Sequence, residues 1–379
     1  FGDVARERFS AVRDAARFAE MRSLLRSPLR LLVVLVVLAV GVFVVWGLSG
    51  GIGATLARIE ASPIARFEVS GSRWVGLTLL SAMAFLTLPR MFQVLVVENE
   101  EDEHLRTAAW AFPTYLMLMS LFVVPIAVVG LELLPADANP DLFVLTLPLS
   151  EGRDGLAILS FLGGFSSATS MVIVAAIALS TMVSNHVVMP IWLHYSGRAA
   201  VVAGDVRTVA LMARRLSIGG VLFLGYIYFR LSGGGTALAA IGLIAFVGVA
   251  QFLPALMGGL FWRGATRVGA LTGLTVGFVL WLYTLFLPSF GEGVILPRAV
   301  FDAGLFGLGW LRPHALFGLE GMDPLMHALM WSIALNTVTF FAASLVSFPS
   351  PLERLQGAQF VSIELTPGPT RSWSGGPAE

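Results

Sequence analysis

Four hydroxyl side chains, Ser166, Ser167, Thr169 and Ser170, fall within five residues, directly after Gly163-Gly164 and inside the apolar stretch Leu156–Ile191. About 20 apolar residues suffice to cross the hydrocarbon of a bilayer, so LAILSFLGGFSSATSMVIVAAIALSTMVSNHVVMPI has length to spare. Hydroxyl oxygens in such a helix can replace part of the water shell of a small cation. Ser166, Thr169 and Ser170, three and four apart, share a helix face on which they could do so. The competing use of the same residues is structural: Ser and Thr return hydrogen bonds to the preceding turn, and small polar residues pack helix bundles. Gly163 and Gly164 let a neighbouring helix come close. Ser180, Thr181, Ser184 and Asn185 lie further along and read as a capping group.

Two other segments combine a polar residue with proline. In FLTLPRMFQVLVVEN, Pro89 removes one backbone hydrogen bond and blocks another, so the helix should kink or break near Leu86–Pro89. Arg90 inside a span is costly unless it faces protein or water, or reaches the interface about 10 Å away along its own helix. Gln93 can line the same space. In AFVGVAQFLPALMGGLFW, Gln251 and Pro254 repeat the device. Gly269, Gly273 and Gly277 form a small-residue ridge suited to helix packing. The glycines at 50–53 and 233–235 lack the preceding strand and following lysine of a phosphate loop, so no nucleotide site is read there.

The elements that carry these residues are membrane helices. Hydrophobic residues make up 56% of the 379 residues and charged ones 13%, and mean hydropathy is +0.83, values of a polytopic membrane protein in a lipid bilayer. The 24 basic residues, all arginine, balance 24 acidic ones, so nothing points to nucleic acid. Cysteine is absent, which removes disulfides, thiol catalysis and cysteine-ligated metal. The five histidines lack metal-ligand spacing.

Runs long enough to cross occur at Leu29–Leu48, Trp74–Val97, Ala108–Leu131, Leu156–Ile191, Ser217–Leu231, Thr236–Trp262, Ala265–Pro288 and Pro324–Phe348, eight in all. Arginines crowd the segment before the first run and the loop after the fourth, which places both chain ends in the cytoplasm and leaves Gly51–Arg73 as an outside loop. Residues 1–28 read as a cytoplasmic basic flank with amphipathic spacing at Phe9, Val12, Ala16, Met21 and Leu25. ENEEDE at 98–103 reads as a solvated turn, and Ser289–Asp323 as a long outside loop. In 349–379, Pro349, Pro351, Pro367 and Pro369 are expected to prevent helix and leave a linker. Phe1 at the first position, with no leader before the first run, reads as an internal piece of a longer protein.

Long runs in matching order carry a resemblance across most of residues 30–348. WVGLTLLSAMAFLTLPRMFQVLVVENEEDEHLRTAAWAFPTYL, GLAILSFLGGFSSATSMVIVAAIALSTMVSNHVVMP, LAAIGLIAFVGVAQFLPALMGGLFWRGATRVGALTGLTVGFVLWLYTLFLP and HALMWSIALNTVTFFAASL resemble the sodium:solute symporter family. The likeness is in particular to the symporter-like membrane half of certain bacterial sensor histidine kinases. The resemblance implies an all-α membrane protein with part of the five-plus-five inverted-repeat transporter fold, in which broken helices at the midplane hold ion and substrate. Residues 29–348 would supply core helices five to ten and two more.

The same resemblance implies that Ser166, Ser167, Thr169 and Ser170 form one half of a sodium site, with Thr169 and Ser170 the first pair. Asn185-His186 stands where many members have an acidic residue. Pro89 and Arg90 would mark the broken sixth core helix, with Gln93 and Gln251 beside the cavity. Sodium is the only ion implied and no cofactor is. The solute would be of the amino acid or organic acid class, and the location the bacterial cytoplasmic membrane. No catalytic residue lies in this chain, so kinase activity in two-component signalling would belong to a module beyond residue 379. Three uses follow: a sensory membrane half, a symporter proper, or a membrane anchor without ligand.

Overall fold

In hydrocarbon every backbone N–H and C=O must find its partner within the segment, so long apolar runs become helices. The computed structural model describes residues 36, 38–66, 70–99, 102–202, 206–231, 238–291 and 293–361. In chain order its helices are α1 (Leu38–Leu48), α2 (Ile52–Ala61), α3 (Gly71–Thr87), α4 (Pro89–Val97), α5 (Glu103–Leu133), α6 (Phe143–Ser150) and α7 (Asp154–Tyr195). There follow α8 (Thr208–Leu231), α9 (Leu238–Ala250), α10 (Leu253–Phe261), α11 (Arg267–Phe290), α12 (Arg298–Ala303), α13 (Pro324–Val346) and α14 (Pro351–Val361). One antiparallel hairpin, β1 (Leu311–Arg312) and β2 (Ala315–Leu316), interrupts the helices.

Among the described residues, six segments are long and apolar enough to cross a membrane: α5, α7, α8, α9–α10, α11 and α13. The bent pairs α1–α2 and α3–α4 raise the number to eight if each is one span. Their number, length and composition are those of a multi-pass, all-helical membrane protein. The 1–28 flank and most of the first half of the Leu29–Leu48 run lie outside the described residues.

The breaks have local causes. Between α1 and α2 the chain turns by 84° through Gly50 (φ 82°) and Gly51 (φ 121°), a conformation that residues with a Cβ rarely adopt. The outside loop expected at Gly51–Arg73 therefore contains a helix, IGATLARIEA, whose Thr55 hydroxyl donates to Gly51 O at 2.9 Å. Between α3 and α4 the axis bends by 54°, with Leu88 extended (ψ 124°) and Pro89 unable to donate.

The chain divides into two units. Unit 1 (1–68 and 93–222) has a core in which Val40 and Val44 of α1 meet Ile126 and Val129 of α5 and Phe143 and Leu147 of α6. Unit 2 (69–92 and 223–379) has a core of Leu80, Val247, Ala250, Leu285, Met326 and Leu329. Within unit 2 the glycine ridge of α11 lies on α13: Gly269 faces Ser344, Gly273 faces Phe340 and Asn336, and Gly277 faces Asn336.

The last described helix, α14, forms within 349–379 where the prolines were expected to prevent one. Pro351 starts α14, where a missing N–H costs nothing and φ is already helical. Ser350 and Glu353 form a capping box: Glu353 N donates to Ser350 Oγ at 3.3 Å, and Ser350 N donates to Glu353 Oε2 at 2.6 Å. The other carboxylate oxygen of Glu353 accepts from Arg267 N, the first residue of α11, at 3.1 Å. Residues 362–379 lie outside the described residues.

These two backbone donors hold the Glu353 carboxyl below the ordinary glutamate value of 4.5. A lowered folded value means that docking of α14 gains from ionisation. That gain is full above 4.5 and is lost as pH falls through the lowered value. Hydrogen exchange at Arg267 and Ser350 is accordingly expected to show protection at neutral pH that declines below that value. In Glu353→Ala protection should be low throughout; unchanged protection in that variant would refute the tether.

Candidate solute groove on the long helix

α7 runs for 42 residues, about 63 Å at 1.5 Å per residue, twice the roughly 30 Å of hydrocarbon. Its early turns carry a stripe of small residues, Ser160, Gly163, Gly164 and Ser167, at the i, i+3, i+4, i+7 spacing of one helix face. Ser160 is buried and returns its hydroxyl to Leu156 O at 2.9 Å. Gly163 is held close to Val36, two residues before α1: a Cβ there would sit 2.9 Å from its Cγ2. At Gly164 a Cβ would meet nothing within 4 Å.

That open space is a groove of about 440 Å³ within unit 1. The α7 stripe forms one wall, with Phe161 and Phe165 on its edges; Val36, Met119 of α5, Leu142, and Val144 and Leu145 of α6 form the rest. Asp141 lies on the rim, its amide N–H donating to Asn139 Oδ1 at 3.0 Å. The lining is apolar with a carboxylate and two serines at separate points, a composition typical of a small-molecule cleft.

The four hydroxyl residues do not converge. Ser167 lines the groove, Ser166 is half-buried, and Thr169 and Ser170 are exposed. The reason is helical geometry: at about 100° per residue, Thr169 stands roughly 200° around the axis from Ser167. Thr169 donates to Phe165 O at 2.7 Å, the return bond to its own helix. Among the described residues none of the four bonds to another helix. The hydroxyls that line the groove are those of Ser160 and Ser167, and Asp141 adds a carboxylate. No group of three His, Cys, Asp or Glu among the described residues could hold a metal.

The remaining candidates fall in both units. Gln93, in unit 1, donates its amide to Glu98 at 3.2 Å. Pro89 and Arg90 sit at the break before α4, in unit 2, where the half-buried Arg90 has its Nε shielded without an acceptor. Gln251, also in unit 2, is fully buried at the α9–α10 break. It donates both amide hydrogens, to Val247 O at 3.1 Å and Ser332 Oγ at 2.9 Å. Asn336 of α13 donates to Gln251 O at 2.8 Å and to its Oε1 at 3.1 Å, so the carbonyl freed by the break is capped across the bundle. Gln251 thus belongs to a packed polar knot rather than to a cavity wall, because the α11 glycines bring α13 within reach.

Sequence reading missed Ser160 and Asp141 in the groove and Ser332 and Asn336 in the knot. The small-residue stripe of α7 was the available signal for Ser160. Nothing in local spacing marks Asp141, which reaches the groove only through the fold of the α5–α6 turn. Compared with family models, curated proteins and solved structures, the chain matches none.

Proposed function

We propose that this chain is the solute-binding membrane half of a sodium:solute symporter-like protein, set in the bacterial cytoplasmic membrane with both ends inside. A small organic solute of the amino acid or organic acid class occupies the α7 groove, and sodium is a co-substrate met by α7 hydroxyls. The observation that carries the reading is the groove itself. It lies on the hydroxyl-bearing helix, its volume suits a small solute, and the glycine at its floor leaves the space open. Broken helices elsewhere in the chain are the kind of element from which such transporters build their sites.

The output proposed is sensing by a linked histidine kinase, because α14 is tied by Glu353 to the first residue of α11. A solute that prefers one arrangement of the bundle would then bias the position of α14. A symporter proper uses the same site without that output.

The test is uptake of radiolabelled amino acids and short organic acids by the intact protein, with and without a sodium gradient. Sodium-dependent binding or uptake is expected, weakened by Ser160→Ala with Ser167→Ala, which removes the hydroxyls that line the groove. No solute binding in either condition would leave a membrane anchor and end the proposal. Unchanged sodium dependence in the double variant would remove Ser160 and Ser167, and with them the α7 hydroxyls of the groove, from the ion path.

A further inference from the structure

The β1–β2 hairpin is fastened to unit 2 at three points. Leu316 N–H donates to Nε2 of His327 at 3.1 Å, between residues 2% and 0% exposed. Tyr283 of α11 donates its hydroxyl to Leu311 O. The Phe317 ring meets Trp331 of α13 edge-on at 4.7 Å and stacks on Trp310 at 5.8 Å.

The fastening also carries strain. Because Nε2 accepts, Nδ1 bears the hydrogen of the neutral imidazole, and that N–H is buried without an acceptor. Trp331 Nε1–H, one turn along the same face, is buried and unpartnered as well. Phe317 and Phe306 adopt left-handed backbone (φ 58° and 57°), a conformation bulky residues avoid. A closed hairpin with two orphan donors gives its polar groups water when it opens.

We propose that the hairpin is a latch released by acid, with His327 as its catch. Neutral His327 accepts from Leu316 and holds the hairpin closed. A proton taken up at Nε2 turns that acceptor into a donor facing the Leu316 N–H. The imidazolium would also stand in the first turn of α13, at the positive end of the helix dipole.

The charged and titratable neighbours are otherwise engaged. Asp323 caps α13 through Leu325 and Met326 N–H at 3.1 and 3.2 Å and pairs with Arg73 of α3 at 3.1 Å. Arg312 of β1 pairs with Glu320. His314 in the hairpin turn, against Phe301, is a like charge once protonated. Tyr283 is spent on Leu311 O. The latch stands independently of solute or ion.

The chain has no cysteine, so single substitutions give clean reporters. The intact protein in lipid nanodiscs is labelled with a membrane-impermeant maleimide at Leu316→Cys, buried in the hairpin. The rate is divided by that of Phe306→Cys, a position 90% exposed, to cancel the pH dependence of thiol chemistry. From about pH 8 to about pH 4, the ratio should rise about tenfold, the scale of one lost buried hydrogen bond. His327→Gln keeps an acceptor that does not protonate, so its ratio should stay low at both pH values. His327→Leu has none and should be high at both. A flat ratio in the otherwise native chain, a response that survives His327→Gln, or one abolished by His314→Gln would each overturn the latch. Should His327→Gln fail to fold, the pH response and His314→Gln decide.

Discussion

Gly273→Leu is expected to destabilise the protein by about 3 kcal/mol or more, the upper range for overpacking a filled interior. The Cβ alone would sit 2.8 Å from both Asn336 Oδ1 and Cβ of Phe340, and 2.9 Å from Asn336 O. Phe340 is 1% exposed and packed against Trp262 and Phe341, and Asn336 cannot move aside without breaking the knot that caps the α9–α10 break. A leucine adds three further carbons where there is no room for the first. Helices in lipid gain little from apolar contact as such, so the close approach of α11 and α13 is itself a main source of their association. Gly259→Leu, at a position where a Cβ meets nothing within 4 Å, is the control and should be near neutral. Unfolding by SDS titration in mixed micelles compares the two. Equal stability would show that the ridge does not set the packing.

Gly164→Phe is expected to weaken solute binding while leaving the fold intact. The ring would enter the open side of the groove, filling space that a solute needs, and its Cβ meets no neighbour. Binding should fall by about tenfold or more, equivalent to about 1.4 kcal/mol. Gly163→Leu, one residue away, should do the opposite: it clashes with Val36 and lowers stability, whatever its effect on solute. Equilibrium binding of the solute found by the uptake screen, measured beside thermal stability, separates the cases. A folded Gly164→Phe protein that binds normally would place the solute elsewhere. The pair also distinguishes a built groove from mere helix packing, since packing predicts that both glycines matter to stability alike.

Composition and the lengths of the apolar runs were enough to read a helical membrane protein, because lipid allows so few ways to pair a backbone. Proline at 89 announced the bend after α3, and the α11 glycines at every fourth position announced a close helix neighbour. These are local or periodic signals, and local physics answers to them. The glycine turn before α2 and the capping box Ser350–Glu353 were equally local, yet long apolar context and the density of prolines masked them.

Tertiary placement was different. Spacing gave Ser166, Thr169 and Ser170 a common face, but which face of α7 meets a groove depends on where α1, α5 and α6 pack, and they chose the side of Ser160, Gly163, Gly164 and Ser167. Gln251 looked like a cavity residue because a polar amide in a span needs a partner. That the partners are Ser332 and Asn336, more than 80 residues later in the chain, follows only from the seat of α13 on α11. The sequence therefore determined which segments enter the membrane and where their backbones break, since both are settled within a few residues. Only the folded bundle decided which oxygens face open space and which are consumed in packing, because that choice is made by neighbours distant in the chain.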